Sequence, residues 1–233
     1  MIISHKHKFI FIKPQKTAGT SIELMLSRIC GDKDIITPLG FDPDPNVREK
    51  HKAKPPQNYY RAKPLKNWKM SELFWFLIKW RRPNLNYWEH IQADEIRKYV
   101  GDDIWNSYLK ISIVRNPWDH AVSWFKWQAK YGFEKTKKGE FENYLKNNYR
   151  TLWGFYSVNN LYDIDYMIRF ECLDEDIFNL VKKFPELNNL AIPRTKKSDK
   201  KYLNYRDYFT NEEWIDWVSE RSLNVIKKFK YEF

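Results

Sequence analysis

The sequence predicts an α/β fold of three layers, in which helices cover both faces of a central parallel sheet. Short apolar runs rich in β-branched and aromatic residues alternate along the chain with stretches of helical periodicity. This alternation is typical of parallel sheets, because each strand returns to the sheet through a helix. The chain has 233 residues, 42% of them hydrophobic, which suits a single domain over residues 1–233 with one insertion.

The predicted strands are short and apolar, and helices are predicted between and after them. The strands are predicted at 8–12, 110–114 and 164–170. Helices are predicted from Thr20 to Gly31, at 71–80, at 93–101, from Pro117 onward and after the third strand. The start of the fourth helix is the best defined, because Asn116 is a favourable N-cap and proline suits the first helical position.

Residues 32–88 are predicted to be an irregular insertion. Six prolines lie between Thr37 and Asn67, and prolines at this density interrupt regular structure. The aromatic stretch 68–88 has two interpretations. Its side chains pack in the core or in a lid, or they line an acceptor cleft in which Trp and Tyr stack on sugar rings and Arg81 and Arg82 meet acidic groups.

The composition indicates a basic protein with an anionic partner. The formal net charge is +11, which favours nucleic acid, a nucleotide, an acidic polysaccharide or a membrane surface. No stretch approaches the roughly 18 apolar residues of a membrane span, and the apolar N-terminal run is too short for a signal peptide. The two cysteines, Cys30 and Cys172, are expected to stay reduced. We therefore expect a cytoplasmic protein.

The first candidate site is the loop KPQKTAGTSIE at 13–23, between the first strand and the first helix. A helix N-terminus presents backbone N–H groups and partial positive charge, which favour an anion. Lys16 adds a full charge, Gly19 allows close approach, and Thr20 and Ser21 add hydroxyl groups. The loop makes the fold P-loop-like, yet it lacks the G-x-x-x-x-G-K-[ST] spacing. A capped helix with an exposed lysine is the alternative.

The second candidate site is VRNPWDHAVSWF at 114–125. Arg115 ends a buried strand, where the ligands of open α/β sheets collect. Ser123 lies two helical turns after Asn116, so an arginine and a hydroxyl can converge on one phosphate. The alternative is a surface salt bridge and an ordinary helical serine. Each of the two candidate sites consists of a strand, an anion-binding segment and a helix. A pair of such strand–anion site–helix units suits a ligand with phosphates at both ends.

These two stretches carry a resemblance to a known family. FIKPQKTAGTSIE resembles the 5′-phosphosulfate loop of sulfotransferases that use 3′-phosphoadenosine 5′-phosphosulfate (PAPS), and VRNPWDHAVSWF resembles their 3′-phosphate motif. The similarity is greatest to the Golgi-type and bacterial carbohydrate sulfotransferases related to heparan sulfate 2-O-sulfotransferases. It extends to the stretches around 87–110, 165–176 and 192–198, and is weakest at about 32–85.

The resemblance implies a role for each matching residue. Lys16 would contact the phosphosulfate bridge, and the 5′-phosphate cradle would consist of Thr17, Gly19, Thr20 and Ser21. The 3′-phosphate would be held by Arg115 and Ser123, and the nucleotide would be covered by Lys197 and Ser198. His90 would be the base. The chain departs from the family at Pro14–Gln15. Ile22 stands where some relatives carry an adenine-stacking tryptophan. The implied donor is PAPS, which leaves as 3′,5′-adenosine bisphosphate, and no metal is expected.

Independent chemistry favours the same assignment of His90. Transfer of a sulfuryl group to a hydroxyl needs a base near the acceptor proton, and imidazole is matched to neutral pH. A carbohydrate hydroxyl is one candidate acceptor, and neither nucleic acid nor a membrane span is expected. Glu171 is a reserve candidate for base, or else the partner of Arg169 in an ion pair. His5 and His7 are spaced for one face of a strand, without a third metal ligand.

Two other functions stay open at this stage. A P-loop kinase-like phosphotransferase would need a Gly-Lys-[Ser/Thr] sequence and an aspartate after an apolar strand, and neither is evident. A non-enzymatic module that binds polyanions or nucleic acid would account for the charge of +11. It would leave the two strand–anion site–helix units unexplained.

Overall fold

The computed structural model describes residues 1–40, 46–62, 68–79, 84–130, 140–187 and 204–233. The strands are β1 Ile2–Ser4, β2 Phe9–Phe11, β3 Ile35–Ile36, β4 Tyr60–Ala62, β5 Asn84–Asn86, β6 Leu109–Val114, β7 Ser157–Val158, β8 Leu161–Tyr162 and β9 Tyr166–Arg169. The helices are α1 Gly19–Ser27, α2 Val47–Lys50, α3 Met70–Lys79, α4 Ala93–Val100, α5 Asp102–Ser107, α6 Pro117–Lys130, α7 Glu140–Asn148, α8 Leu173–Val181, α9 Glu212–Arg221 and α10 Leu223–Phe229.

The central sheet has five strands in the order β3-β1-β2-β6-β9. The strands β2, β6 and β9 are parallel neighbours, whereas β1 runs antiparallel to both β2 and β3. The expectation of a wholly parallel sheet is therefore wrong at β1. A tight turn returns the chain from β1 directly into β2, and a hairpin connection of this kind makes antiparallel neighbours.

Helices cover both faces of this sheet. Ile22 and Met25 of α1 and Ile177 of α8 pack with Phe9 and Phe11 of β2 on one face. The opposite face carries α4, α5 and α10, which pack against the alternate residues of β1 and β2. This arrangement agrees with a three-layer α/β/α fold, and it follows from strand side chains pointing alternately to the two faces.

The predicted strands and the α6 start are confirmed within a few residues. The side chain of Asn116 accepts hydrogen bonds from the backbone N–H groups of Trp118 and Asp119, at 3.0 and 3.2 Å, so it caps α6 as predicted. Gly101, with φ of 85°, ends α4. The start of α1 is different. Its N-cap is Ala18 in a left-handed conformation, without a side-chain cap, so neither Thr20 nor Ser21 caps this helix.

The α3 helix forms as predicted, but it does not pack in the core. None of its residues is buried, and Phe74 and Trp75 are 59% and 53% exposed. The interpretation that the aromatics of 68–88 pack in the core is wrong for those of α3, whereas Tyr87, which is 1% exposed, packs in the core. The helical periodicity of this stretch correctly predicts the helix, but periodicity alone does not identify the residues against which a helix packs.

A buried cluster of charged side chains joins the first helix to the loop before it. Lys13 Nζ lies 2.9 Å from Glu23 Oε2 and 2.7 Å from Glu89 Oε2. Glu23, with a fully buried side chain, also contacts Arg48 and the amino group of Met1. Burial alone would raise the pKa of Glu23, but Lys13, the amino group and Arg48 outweigh it and hold this pKa below its ordinary value. Glu23 is therefore a buried carboxylate shared by several cations.

We expect Glu23→Gln to lower the free energy of unfolding by about 3–5 kcal/mol, because it removes a buried counter-ion of Arg48 and one of the two carboxylates paired with Lys13. The measurement is urea denaturation at neutral pH. Glu220→Gln is the matched control, because Glu220 is an exposed residue of α9, and it should change stability by less than about 0.5 kcal/mol. Equal midpoints for the two variants would contradict the assigned role of the cluster.

Candidate functional site

The two predicted anion-binding segments meet at one edge of the sheet. Strands β2 and β6 are adjacent and parallel, with Phe11 opposite Ile111, so the segments that follow them leave the sheet side by side. Arg115 Nη1 donates a hydrogen bond to the carbonyl oxygen of Lys16 at 2.9 Å. Residues separated by about a hundred positions in sequence are thus in direct contact, at the carboxyl edge where open α/β sheets bind ligands.

The guanidinium of Arg115 is held from three sides. Its Nε donates to Asp119 Oδ2 at 2.7 Å, and its Cζ lies 4.0 Å from the ring centroid of Phe170. With the bond to Lys16, these contacts fix the plane of the guanidinium while using two of its N–H groups. An arginine held in this way loses little side-chain entropy when it binds an anion.

The backbone of the first loop adopts left-handed conformations at Lys16 and Ala18, with φ of 59° and 63°. These conformations are costly for residues other than glycine, at about 1 kcal/mol each. They bend the chain immediately before the first turn of α1, where the N–H groups lack partners within the helix. Loops of this form create concavities lined by N–H groups, which bind anions.

The hydroxyl residues of this loop have different environments. Thr17 is buried and its hydroxyl donates to the carbonyl of Pro14 at 3.0 Å, so this side chain shapes the loop. Thr20 and Ser21 lie partly exposed in the first turn of α1. Ile22 is 1% exposed in the core and therefore offers no surface on which an adenine could stack.

Gly19 is required by close packing. A Cβ atom at this position would lie 2.7 Å from Cγ of Lys13, which is closer than real contacts allow. The aliphatic part of Lys13 therefore crosses directly over the first residue of α1. A side chain at position 19 would displace either the buried lysine or the start of the helix.

One face of α6 borders the first loop. His120 Nε2 donates to the carbonyl of Gln15 at 3.1 Å, and Lys16 Nζ lies 5.8 Å from the ring centroid of Trp127. Ser123 is three residues after His120 and four before Trp127, so helical geometry puts it on this same face. The structure thereby brings Lys16, Arg115 and the α6 face of Ser123 to one region.

His90 is docked onto the beginning of the same loop. Its Nδ1 lies 2.8 Å from the carbonyl oxygen of Lys13. A carbonyl can only accept, so Nδ1 carries a proton and Nε2 is the nitrogen that can take up another. Glu89 Oε1 lies 3.3 Å from Nε2. The histidine side chain is 24% exposed and accessible to a ligand.

Glu89 remains ionised in this environment. Burial alone would raise the pKa of its carboxyl, but the adjacent His90 and the charge of Lys13 outweigh it and hold the pKa well below its ordinary value. Burial likewise acts to lower the pKa of Lys13, and Glu23 and Glu89 together raise it. The charges of the cluster therefore stabilise one another.

Sequence reasoning missed Lys13, Glu23, Glu89 and Asp119 as residues that position the site. One signal was present: Glu23 lies next to Ile22 within a stretch of apolar helical spacing, and a buried carboxylate requires a buried cation. The partners of that carboxylate come from distant segments. No local pattern identifies them.

Two expectations outside the main site are wrong. Arg169 pairs with Asp176 rather than with Glu171. Glu171 instead accepts hydrogen bonds from the backbone N–H of Asn116 and the hydroxyl of Tyr231, at 2.7 and 2.9 Å, and so supports the start of α6. His5 and His7 lie in the turn between β1 and β2, not in a strand.

Lys197 and Ser198, like Arg81 and Arg82, lie outside the described residues. Among the residues described, no group of three or more His, Cys, Asp or Glu side chains could hold a metal ion. No helix within the described ranges is long and apolar enough to cross a membrane.

His120 is a buried neutral histidine beside the two cations of the site. Burial, together with the charges of Arg115 and Lys16, lowers the pKa of His120 to about 3. The unfolded chain binds a proton at this residue near its ordinary pKa of about 6.5. Because the folded pKa is depressed, protonation favours the unfolded state as the pH falls below the unfolded value.

We therefore expect the free energy of unfolding to decrease between about pH 6 and pH 4, with His120 contributing up to about 1.4 kcal/mol per pH unit. In His120→Gln, an amide can still donate to Gln15 but cannot titrate, so the decrease should be shallower by this amount. Urea denaturation of both proteins across this range gives the slopes. Identical slopes would refute the assignment of a neutral buried His120.

Comparison with known proteins found no match to this chain among protein-family models, curated proteins or solved structures.

Proposed function

We propose that this protein is a sulfotransferase that moves the sulfuryl group of PAPS to an acceptor hydroxyl. The observation that carries the proposal is the contact between Arg115 and the Lys16 carbonyl, which joins the two sequence segments that resemble the donor-binding motifs of that family. With His90 docked at the beginning of the same loop, a base and two cationic groups share one edge of the sheet.

The donor set fits a ligand with separate anionic groups. Lys16 and the N-terminus of α1 would hold the 5′-phosphosulfate, because both the ammonium and the helix end favour negative charge. Arg115, oriented by Asp119 and Phe170, would hold the 3′-phosphate together with Ser123. Bound donor would supply a sulfuryl group attached to a phosphate leaving group.

The residues of the chain have distinct tasks in the transfer. The acceptor hydroxyl oxygen forms a bond to sulfur while the bond between sulfur and the bridging oxygen of the 5′-phosphate breaks. His90 Nε2 takes the hydroxyl proton, and Glu89, at 3.3 Å, stabilises the resulting imidazolium. Lys16 stabilises the negative charge that grows on the leaving phosphate. The products are a sulfate ester and 3′,5′-adenosine bisphosphate.

A sugar hydroxyl is the acceptor that the neighbouring residues suit best. Trp88, two residues before His90, is 42% exposed. An exposed tryptophan beside a catalytic base provides an apolar surface for a sugar ring. The segment that leads to it, residues 84–90, would then contribute both acceptor contact and the base.

We expect 3′,5′-adenosine bisphosphate to raise the melting temperature of the protein, and Arg115→Ala to weaken its binding by about 10- to 100-fold. The loss follows from removing charge-assisted hydrogen bonds. Calorimetric titration measures the affinity. The control is Arg150→Ala, which removes an exposed arginine outside the two candidate anion-binding segments. Stabilisation by ATP-Mg²⁺ or by DNA, without stabilisation by the bisphosphate, would refute the sulfotransferase proposal.

We expect His90→Asn to retain bisphosphate affinity and to lose about 10²- to 10⁴-fold in kcat, the range of general base catalysis. Asparagine can still donate to the Lys13 carbonyl, so the loop keeps this support while Nε2 is removed. Sulfate transfer from radiolabelled donor to a panel of saccharides measures turnover. Parent-level turnover in this variant would show that His90 is not the base.

A further inference from the structure

The α3 helix carries an apolar face that the rest of the described chain leaves open to solvent. This face, called here the α3 apolar face, consists of Met70, Leu73, Phe74, Leu77 and Ile78. The exposed fractions of Met70, Leu77 and Phe74 are 81%, 67% and 59%. Helices of globular proteins normally bury such a face against a core, so the exposure indicates a partner outside the described part of the chain.

The apolar residues form one continuous surface along the helix. At 3.6 residues per turn, Leu73, Leu77, Met70, Phe74 and Ile78 follow one another around an arc of about 140°. Glu72 and Lys79 lie on the opposite side. Because Met70 and Ile78 are at the two ends of the helix, the apolar surface runs its full length.

The sequence around this helix is strongly basic. Residues 63–82 contain six Lys and Arg (63, 66, 69, 79, 81 and 82) and one acidic residue, Glu72, which gives a net charge of +5. The occupant of the face therefore combines an apolar surface with negative charge. A second copy of this chain would bring another +5 to the contact, and the like charges would repel.

An acidic saccharide also fits poorly, because Met, Leu and Ile side chains cannot bond to its hydroxyl and carboxylate groups. An anionic lipid surface provides both required features, acyl chains at the boundary and negative headgroups above them. Trp68 lies two residues before α3 and Trp75 lies within it, and tryptophan prefers the membrane–water interface. Lys79 Nζ lies 4.8 Å from the ring centroid of Trp75, so a cation accompanies this ring.

We propose that α3 lies in the headgroup region of anionic membranes and attaches the protein to their surface. The two-stranded ribbon of β4 and β5 holds the helix, with Tyr60 opposite Asn86. Since no α3 residue is buried, the helix can enter the interface without exposing any part of the core. Attachment of this type is peripheral and reversible.

The experiment is co-sedimentation of the full chain with vesicles of phosphatidylcholine, with or without phosphatidylserine. Binding should be at least tenfold tighter with phosphatidylserine and should weaken as salt is raised. The double variant Phe74→Ser/Leu77→Ser should bind these vesicles about 100-fold more weakly, at roughly tenfold for each lost apolar side chain.

The matched control is Phe178→Ser/Leu161→Ser, because these residues are 63% and 73% exposed elsewhere on the surface. It should bind vesicles like the parent. Both double variants should keep the parent melting temperature and the parent affinity for 3′,5′-adenosine bisphosphate, so vesicle binding is tested apart from the proposed enzymatic function.

Three results would overturn the membrane proposal. The first is a parent chain that stays in the supernatant with phosphatidylserine vesicles, as it would if α3 bound an acidic protein instead. The second is a Phe74→Ser/Leu77→Ser protein that sediments with vesicles like the parent. The third is a parent that is dimeric without vesicles while this variant is monomeric, which would assign the face to a second copy.

Discussion

The buried ammonium of Lys13 is the interaction on which the candidate site depends. It pairs with Glu23 of α1 and with Glu89, its own carbonyl accepts from His90, and its aliphatic part covers Gly19. One residue therefore sets the relative positions of the first strand, the first helix and the proposed base. Desolvating such charges is costly, and only full pairing offsets that cost.

The acidic side chains near the site serve to position its cations and its histidine. Asp119 holds Arg115 by its Nε, and Glu89 lies against both Lys13 and His90. Of the cations closest to the proposed ligand, Lys16 lies beside the Trp127 ring, and Arg115 is held by the Lys16 carbonyl, the Phe170 ring and Asp119. The N-terminus of α1 adds partial positive charge at the same edge of the sheet.

Local patterns predicted much of the fold and the two segments that meet at the candidate site. Apolar runs located β2, β6 and β9, and the asparagine–proline pair located the start of α6, because strands, helices and caps are specified by neighbouring residues. Antiparallel β1 was missed because Ile2–Ser4 is too short to show alternation. The exposure of α3 was missed because it depends on contacts between distant segments. The pairing of Arg169 with Asp176 was missed because it depends on how the chain turns from β9 into α8. The left-handed Lys16 and Ala18 were equally hidden, since a glycine would be expected there.

The ribbon of β4 and β5 brings the two ends of the segment 60–86 together. Tyr60 and Asn86 are paired neighbours, so the chain returns to within about 5 Å of the point where it leaves. Changes of length beyond the ribbon therefore leave the spacing between β3 and the segment of Glu89 and His90 unchanged. Insertions, deletions or replacement of α3 would alter the proposed membrane contact without moving His90, so the two proposed properties can be selected independently in this architecture.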